Sequence, residues 1–127
     1  MQIIEKIQIL RKIKELDKCG RIHQMDLMEV LDAYHDSIKF SYESKYTLAS
    51  VAIKHTYYIK TRGLGLSCTR TQETSDIDAP VVIYGFEIET PNNKLRETGT
   101  ERAKSLYDYA YSLFLAKSVN KNKVNEH

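Results

Sequence analysis

The sequence predicts a single α+β domain, in which a small antiparallel sheet of about three strands packs with N-terminal and C-terminal helices. Apolar residues recur at spacings of three and four near both ends of the chain, which is typical of helices. The middle of the chain instead alternates apolar and polar residues, as strands do. A chain of 127 residues has the length of one domain. We therefore treat residues 1–127 as one unit, with residues 119–127 as a frayed tail.

The first helix is predicted over residues 2–18. Its apolar stripe recurs every three or four positions and comprises Ile3, Ile7, Leu10 and Ile13. Ile4 and Ile9 lie off this stripe and widen the apolar surface, so the helix is expected to pack against two neighbours, one of them another subunit. Gly20 supplies the left-handed residue that ends a helix.

A second helix is predicted over residues 24–36, where Met25, Met28 and Leu31 share one face. A short strand follows over residues 38–43, because Ile38, Phe40 and Tyr42 alternate with polar residues.

Residues 45–62 are compatible with two structures. On a helix, Ser44 would cap the start and Gly63 the end, and eighteen residues would be long for a strand. On a strand, the β-branched and aromatic residues would alternate on one face. Length and caps favour the helix, and we adopt it as the prediction.

The second half of the chain is predicted to contain two strands and a helix. Strands are expected over residues 64–71 and 81–90, separated by a polar loop. A turn at residues 90–93 leads toward the last helix, over residues 99–118. Thr98 and Glu101 have the spacing of a capping box at its start.

Charge is sorted along the middle of the chain, although the net charge is only +2. Residues 45–72 contain no carboxylate, and residues 73–93 contain no Lys or Arg. The two segments would neutralise each other if they lay on neighbouring strands. Alternatively, the basic segment would bind nucleic acid or a nucleotide, or a protein partner of complementary charge. The residues expected at the nucleic-acid site are Lys54, Tyr57, Lys60, Arg62 and Arg70.

Other residues partly match a nuclease metal site, a zinc site and a Cys–His catalytic pair, but each of these sites lacks a required residue. Asp78, Glu87 and Glu89 resemble the carboxylates of metal-dependent nucleases, but the lysine that should follow Glu87 by two residues is absent. Cys19 and Cys68 lack the paired spacing of zinc ligands, and no third group orients a Cys68–His55 pair. We therefore predict no catalytic residue, no resident metal and no cofactor. The absence of a signal peptide or long apolar run predicts a soluble, cytoplasmic protein without membrane contact.

Nine tyrosines exceed what one small core holds, and tyrosine is enriched at protein interfaces. Tyr109, Tyr111 and Leu115 fall off the apolar stripe of the last helix and are the predicted partner-binding residues. The expected function is that of a small non-catalytic protein-binding regulator, adaptor or inhibitor that also forms a homodimer. A composition rich in Lys, Ile and Asn suits the product of a virus or mobile element that acts on a host protein.

Overall fold

The structure, a computed structural model, describes the backbone of residues 2–125 and the side chains of residues 3–117. Three α-helices, two short 3-10 turns and five strands follow one another in this described part. The helices are α1 (Gln2–Lys18), α2 (Leu27–Ala33) and α3 (Glu101–Asn125), and the 3-10 turns are Ile22–Gln24 and His35–Ser37. The strands are β1 (Lys39–Tyr46), β2 (Ser50–Thr61), β3 (Leu64–Ser75), β4 (Val81–Glu89) and β5 (Lys94–Thr98).

The five strands form one antiparallel sheet in chain order, β1-β2-β3-β4-β5. All three helices pack on the same side, which we call the helix face; the other side is the open face. We call the half of the sheet near the β2–β3 turn the proximal half, and the half near the β1–β2 and β3–β4 loops the distal half. The fold class is therefore α+β, as predicted, with five strands in place of about three.

The core lies between the proximal half of the sheet and the helices. Its sheet side is built from alternating residues such as Ile59, Leu66 and Ile88, which are almost fully buried. Burying apolar surface of this kind is the main stabilising contribution to the fold. The α3 helix crosses the sheet as a diagonal and packs directly on β2, β3 and β4, and α1 and α2 complete the core with buried residues such as Ile13 and Leu31.

Asp17 fastens the covering helices to the sheet. Its buried carboxylate, near the end of α1, accepts hydrogen bonds from the Thr90 hydroxyl, from the backbone and side chain of Asn92, and from Asn93 Nδ2. These donors belong to the β4–β5 turn. They lower the pKa of Asp17, with the Thr90 hydroxyl as the largest cause, because each hydrogen bond favours the charged carboxylate.

The predicted helix over residues 45–62 is wrong. These residues complete β1 and form all of β2, which pairs with β1 from Tyr46↔Val51 and with β3 from Ser50↔Ser75. The β-branched and aromatic residues form a strand in spite of the helix caps, because a long strand on each side pairs with β2. An eighteen-residue stretch contains the end of one strand, a loop and another strand.

Smaller boundary errors have local causes. The predicted loop after residue 71 is strand as far as Ser75, and β5 was missed because its alternation is only five residues long. The second helix is α2 alone, since the Asp26 side chain accepts from Met28 and Glu29 N–H and so caps it. The last helix is capped by Thr100, whose hydroxyl accepts from Ala103 N–H, because Thr98 still belongs to β5.

The first helix and the strand over residues 81–90 are confirmed within a residue. Gly20 ends α1 as predicted: it has φ +68°, and Arg21 N–H donates to Leu16 O at 2.7 Å. The α3 helix continues past the predicted end at Ser118 to Asn125. The side chains of the predicted frayed tail, residues 119–127, lie outside the described residues.

Candidate protein-binding surface

The distal half of the helix face carries exposed aromatic residues from β1 and α3. We call this surface the aromatic shelf and define it by Phe40, Tyr42, Tyr46, Tyr111 and Leu115. Tyr42 is 57% exposed and Tyr46 is 73% exposed. Tyr111 and Leu115, on the adjoining helix, are 44% and 43% exposed. Neighbouring apolar residues of this size at a protein surface are a feature of binding sites.

Strand alternation places the β1 part of the shelf. The positions of Phe40, Tyr42 and Tyr46 differ by two and by four, so all three side chains point to the helix face. Their register partners on β2 are Tyr57, His55 and Val51. The helices leave these three side chains exposed.

The path of α3 places the other part of the shelf. Gly99 N–H donates to Tyr84 O on β4 at 2.8 Å, immediately before the helix begins. About halfway along the helix, the Phe114 ring lies 6.2 Å from the Phe40 ring on β1. The helix therefore crosses from β4 to β1 and forms a wall along the shelf, with Tyr111 on the shelf side.

Tyr57 is the buried base of the shelf. Its ring contacts Phe40 at 5.0 Å and Phe114 at 5.2 Å between centroids. It also contacts Tyr107 at 5.4 Å and Tyr111 at 5.7 Å. Burial raises the pKa of Tyr57, and it raises the pKa of Tyr107 to about 12. Since the rings beneath the shelf are packed against one another, its exposed members are held in place before any partner binds.

The floor of the shelf contains two further polar groups. The His55 ring lies 5.6 Å from Phe40 and 5.7 Å from Tyr42. The Arg70 guanidinium donates from Nε to the Tyr84 hydroxyl at 3.4 Å and from Nη1 to Gln72 Oε1 at 3.2 Å. These groups add hydrogen-bonding capacity to a mainly aromatic surface, as is common at interfaces.

The three predicted partner-binding residues do not share one surface. Tyr111 and Leu115 lie on the shelf side of α3. Tyr109 points the opposite way, toward α2, where its hydroxyl donates to the Asp32 carboxylate. That hydrogen bond is the largest cause of the raised pKa of Tyr109. The contact joins α3 to α2 and so leaves Tyr109 away from the shelf.

The residues of the predicted nucleic-acid site are distributed over both faces of the sheet. Lys54 and Lys60 lie on the open face, while Tyr57 and Arg70 lie on the helix face. Arg62 is in the β2–β3 turn. Tyr57 is only 6% exposed, so its ring offers no face on which a base could stack. The alternation of β2, which the predicted helix concealed, causes this separation.

The open face has a shallow depression of about 590 Å³ at its proximal end. Lys60 and Arg62 line it together with Glu87 and Glu89. Both signs of charge are therefore present in the same depression. Among the described residues, no ion pair joins the basic segment to the acidic one; Glu87 instead pairs with Lys94 of β5 at 3.4 Å. The two segments lie on neighbouring strands, but without direct neutralising contacts.

The carboxylates of the predicted nuclease site lie at opposite ends of the sheet. Asp78 is in the distal β3–β4 loop, whereas Glu87 is near the proximal end of β4, six residues beyond Val81 or roughly 20 Å along the strand. Within the described part of the chain, no group of three or more Asp, Glu, His or Cys side chains could hold a metal ion.

The two cysteines do not lie in one site either. Cys68 is completely buried, and burial raises the pKa of its thiol to about 12, which leaves the thiolate unavailable as a nucleophile near neutral pH. Cys19 is exposed.

Sequence reasoning missed the β1 part of the shelf. Phe40 and Tyr42 were assigned to a strand, but the exposed side of that strand was not identified. Tyr46 was placed in a helix. The available signal was the alternation of aromatic and polar residues from Phe40 to Tyr46, which only Ser44 interrupts.

Comparisons of the chain with protein-family models, with curated proteins and with solved structures found no match. None of the helices in residues 2–125 is both long enough and apolar enough to cross a bilayer.

Proposed function

We propose that the chain is a small non-catalytic protein-binding regulator, adaptor or inhibitor, and that the aromatic shelf is its docking surface. The observation that carries the proposal is the exposure of Tyr42 and Tyr46 on the helix face of β1 and of Tyr111 on α3, whose ring packs on the buried Tyr57. Tyrosine gives a large apolar contact area together with a hydroxyl that can form a hydrogen bond, which is why it dominates many binding hot spots.

The chemistry of the shelf favours a protein over other ligands. An exposed aromatic surface beside a helix wall suits an apolar segment of another protein, with its polar groups directed to His55 and Arg70. The surface is open, whereas small molecules prefer enclosed pockets. The origin of the protein, in a virus or mobile element acting on a host, stays a prediction.

The experiment compares the partners that three purified, tagged chains retain in extracts of the native cells. The chains are the wild type, the shelf variant Tyr42→Ala with Leu115→Ala, and a matched variant with Ile4→Ala and Ile7→Ala. The matched variant also removes two exposed apolar side chains, but from α1, away from the shelf. Circular dichroism confirms that each variant is folded.

We expect a stoichiometric partner that survives nuclease treatment, binds the α1 variant as tightly as the wild type, and binds the shelf variant at least ten-fold more weakly. Equal binding by both variants would place the partner elsewhere and overturn the assignment of the shelf. Loss of all retained material on nuclease treatment would instead support a nucleic-acid function for the basic segment, and steep weakening with salt would accompany it.

A further inference from the structure

The outer edge of β1 is available for pairing. This strand is eight residues long, and almost all of its side chains are exposed. It pairs with β2 on its inner side, and among the described residues nothing pairs with its outer side. The other edge strand, β5, has five residues and lies against the turn at Ile22–Gln24. A long, uncovered edge is a template for a further strand.

The hairpin geometry identifies which residues of β1 present their backbone outward. Thr47 N–H donates to Ser50 O at 2.9 Å, so the backbone groups of Thr47 point inward, to β2. Inward and outward residues alternate along an antiparallel strand. The outward N–H and C=O groups therefore belong to Phe40, Tyr42, Ser44 and Tyr46, and none of these side chains is charged.

The sequence of β1 is complementary to itself when it is run backwards about Ser44. In an antiparallel pair of two copies centred there, Ser44 lies opposite Ser44 of the second copy. Glu43 then lies opposite Lys45 on the open face, and Tyr42 lies opposite Tyr46 on the helix face. Each of these two contacts occurs twice because of the two-fold symmetry. Opposite charges and aromatic pairs directly across a ladder both stabilise strand pairing.

Neighbouring registers lack this complementarity or bring non-strand residues against the partner's β1. Centring on Glu43 sets the two Glu43 carboxylates against each other, and centring on Tyr42 sets Lys39 against Lys45. Centring on Ser41 pairs Lys39 with Glu43 over residues 39–43, as many residues of β1 as the Ser44 register pairs (42–46), but it sets the partner's residues 44–46 against the buried Ile38 and the turn His35–Ser37. The Ser44 register instead sets residues 39–41 against the exposed β1–β2 loop, so matched charges and an open flank together favour it, and register is specified in this way wherever faces differ in chemistry.

The α3 helix supports the same arrangement. Its last described ring contact with β1 is from Phe114 to Phe40, yet the helix continues to Asn125. Eleven residues correspond to about 16 Å of helix beyond that contact. In the Ser44 register the position opposite Phe40 is Leu48 of the second copy, a residue that is fully exposed in the single chain. The overhanging helix would extend toward the partner's β1–β2 loop, to which Leu48 belongs.

We propose that the protein forms a symmetric dimer by antiparallel pairing of β1 with β1 of a second copy, centred on Ser44, to give one continuous ten-stranded sheet. This inference goes beyond the proposed function and does not depend on it. It assigns the self-association to the sheet edge; the apolar outer side of α1 takes no part in it.

Proline at position 44 tests whether this edge is the interface. Ser44→Pro removes an N–H that points outward, so the β1–β2 ladder keeps all its bonds, as is usual for proline on an edge strand. We expect a dimer for the wild type and for Ser44→Ala by sedimentation or light scattering, and a folded monomer for Ser44→Pro. The control Arg96→Pro changes an outward-directed residue of the opposite edge, β5, and should stay dimeric. The proposal would be overturned if the wild type were a monomer, even one whose β1 edge pairs with a strand of another protein. It would also be overturned if Ser44→Pro stayed dimeric.

Charge exchange tests the register. Glu43→Lys alone sets two positive charges against each other at each of these contacts, and Lys45→Glu alone sets two negative charges there. Each variant should therefore dimerise roughly ten-fold more weakly than the wild type. In the Ser44 register, the two substituted positions face each other across the ladder when the two variants form a heterodimer.

That heterodimer contains one contact between the substituted positions, where the new lysine faces the new glutamate, and one contact between the native Lys45 and the native Glu43. Both contacts therefore join opposite charges. An equimolar mixture of the two variants should form a heterodimer at wild-type strength. Failure of the mixture to recover would contradict the Ser44 register.

Disulfide trapping provides a second, independent test of the register. With the exposed Cys19 replaced by Ser, Ser44→Cys places two cysteines directly opposite each other at a Cα separation of about 5.5 Å, within the range of a disulfide. Ser41→Cys places them six residues apart along the ladder, about 20 Å. Oxidation should crosslink only the first variant. Crosslinking of the second in its place would show a different register and overturn the assignment.

Discussion

The proximal and distal halves of the sheet consist of the same strands but differ in what covers them. On β4, Phe86 and Ile88 are buried beneath the helices, whereas Val82, four residues before Phe86 and on the same face, is exposed. The alternating pattern of apolar residues continues unchanged along the strand. The pattern therefore defines a face of the sheet, and the lengths and paths of the helices decide how much of that face becomes core.

The difference also separates the half of the sheet that stabilises the domain from the half that we propose binds a partner. The proximal half buries its apolar side chains on folding and so stabilises the domain. The distal half leaves Tyr42 and Tyr46 in contact with water, a hydrophobic cost that a partner would relieve. Strands twelve residues long beneath helices that cover only half of them provide a rigid extension for presenting such residues.

Truncation of matched residues in the two halves should give the largest contrast. Phe86→Ala removes a buried ring that also lies under the Arg102 guanidinium at 5.1 Å. The expected loss is about 3–5 kcal/mol of unfolding free energy, because a cavity remains. Val82→Ala, on the same strand and face, should cost about 1 kcal/mol or less, since its side chain is already exposed.

Chemical denaturation measures both changes, and far-ultraviolet circular dichroism checks the folded state of each variant. Similar losses for Phe86→Ala and Val82→Ala would mean that the distal half of β4 is covered in solution.

The acid stability of the proximal half should depend on Asp17. Because hydrogen bonds lower its pKa in the folded state, Asp17 contributes stability that is present above its unfolded pKa of about 3.8 and is lost as the pH falls through the lower folded value. Asp17→Asn should therefore melt at a lower temperature at neutral pH and show a flatter decline below pH ~4.

Thermal melting across the acid range measures this effect, with Asp108→Asn as the control. Asp108 is exposed on α3 and makes no hydrogen bond or ion pair with the described residues, so its replacement should leave the acid profile unchanged. An Asp17→Asn profile that parallels the wild type would show that the β4–β5 turn holds α1 without the carboxylate charge.

The elements that could be predicted from the sequence are those whose signal is local. The α1 helix has a helical stripe and a glycine stop, and β4 has a long alternation, so their bounds were predicted within a residue. Whether residues 45–62 form a helix or a strand depends on pairing with strands that are distant in the chain. Leu66 and Cys68 pair with Ile59 and Tyr57, and no local pattern of β2 reveals that pairing.

The candidate site was only partly predictable for the same reason. Tyr111 and Leu115 were identified because they fall off the stripe of their own helix. Tyr109 falls off that stripe as well, yet it faces α2 and Asp32. Which off-stripe residue is exposed depends on neighbouring helices, and single-helix periodicity contains no information about them.

The two sides of α3 provide the smallest and most selective contrast. Tyr109→Phe removes the hydrogen bond to Asp32 on the proximal side and should cost about 1 kcal/mol of unfolding free energy. Tyr111→Phe keeps its ring contacts with Tyr57 and Tyr107 and should change the stability by less than about 0.5 kcal/mol. For partner binding we expect the reverse, with Tyr111→Phe having the larger effect, because of these two hydroxyls only that of Tyr111 lies on the aromatic shelf. Denaturation and affinity measurements on both variants therefore test together whether α3 separates a stabilising side from a binding side. A Tyr109→Phe variant that weakened binding more than Tyr111→Phe would contradict that division.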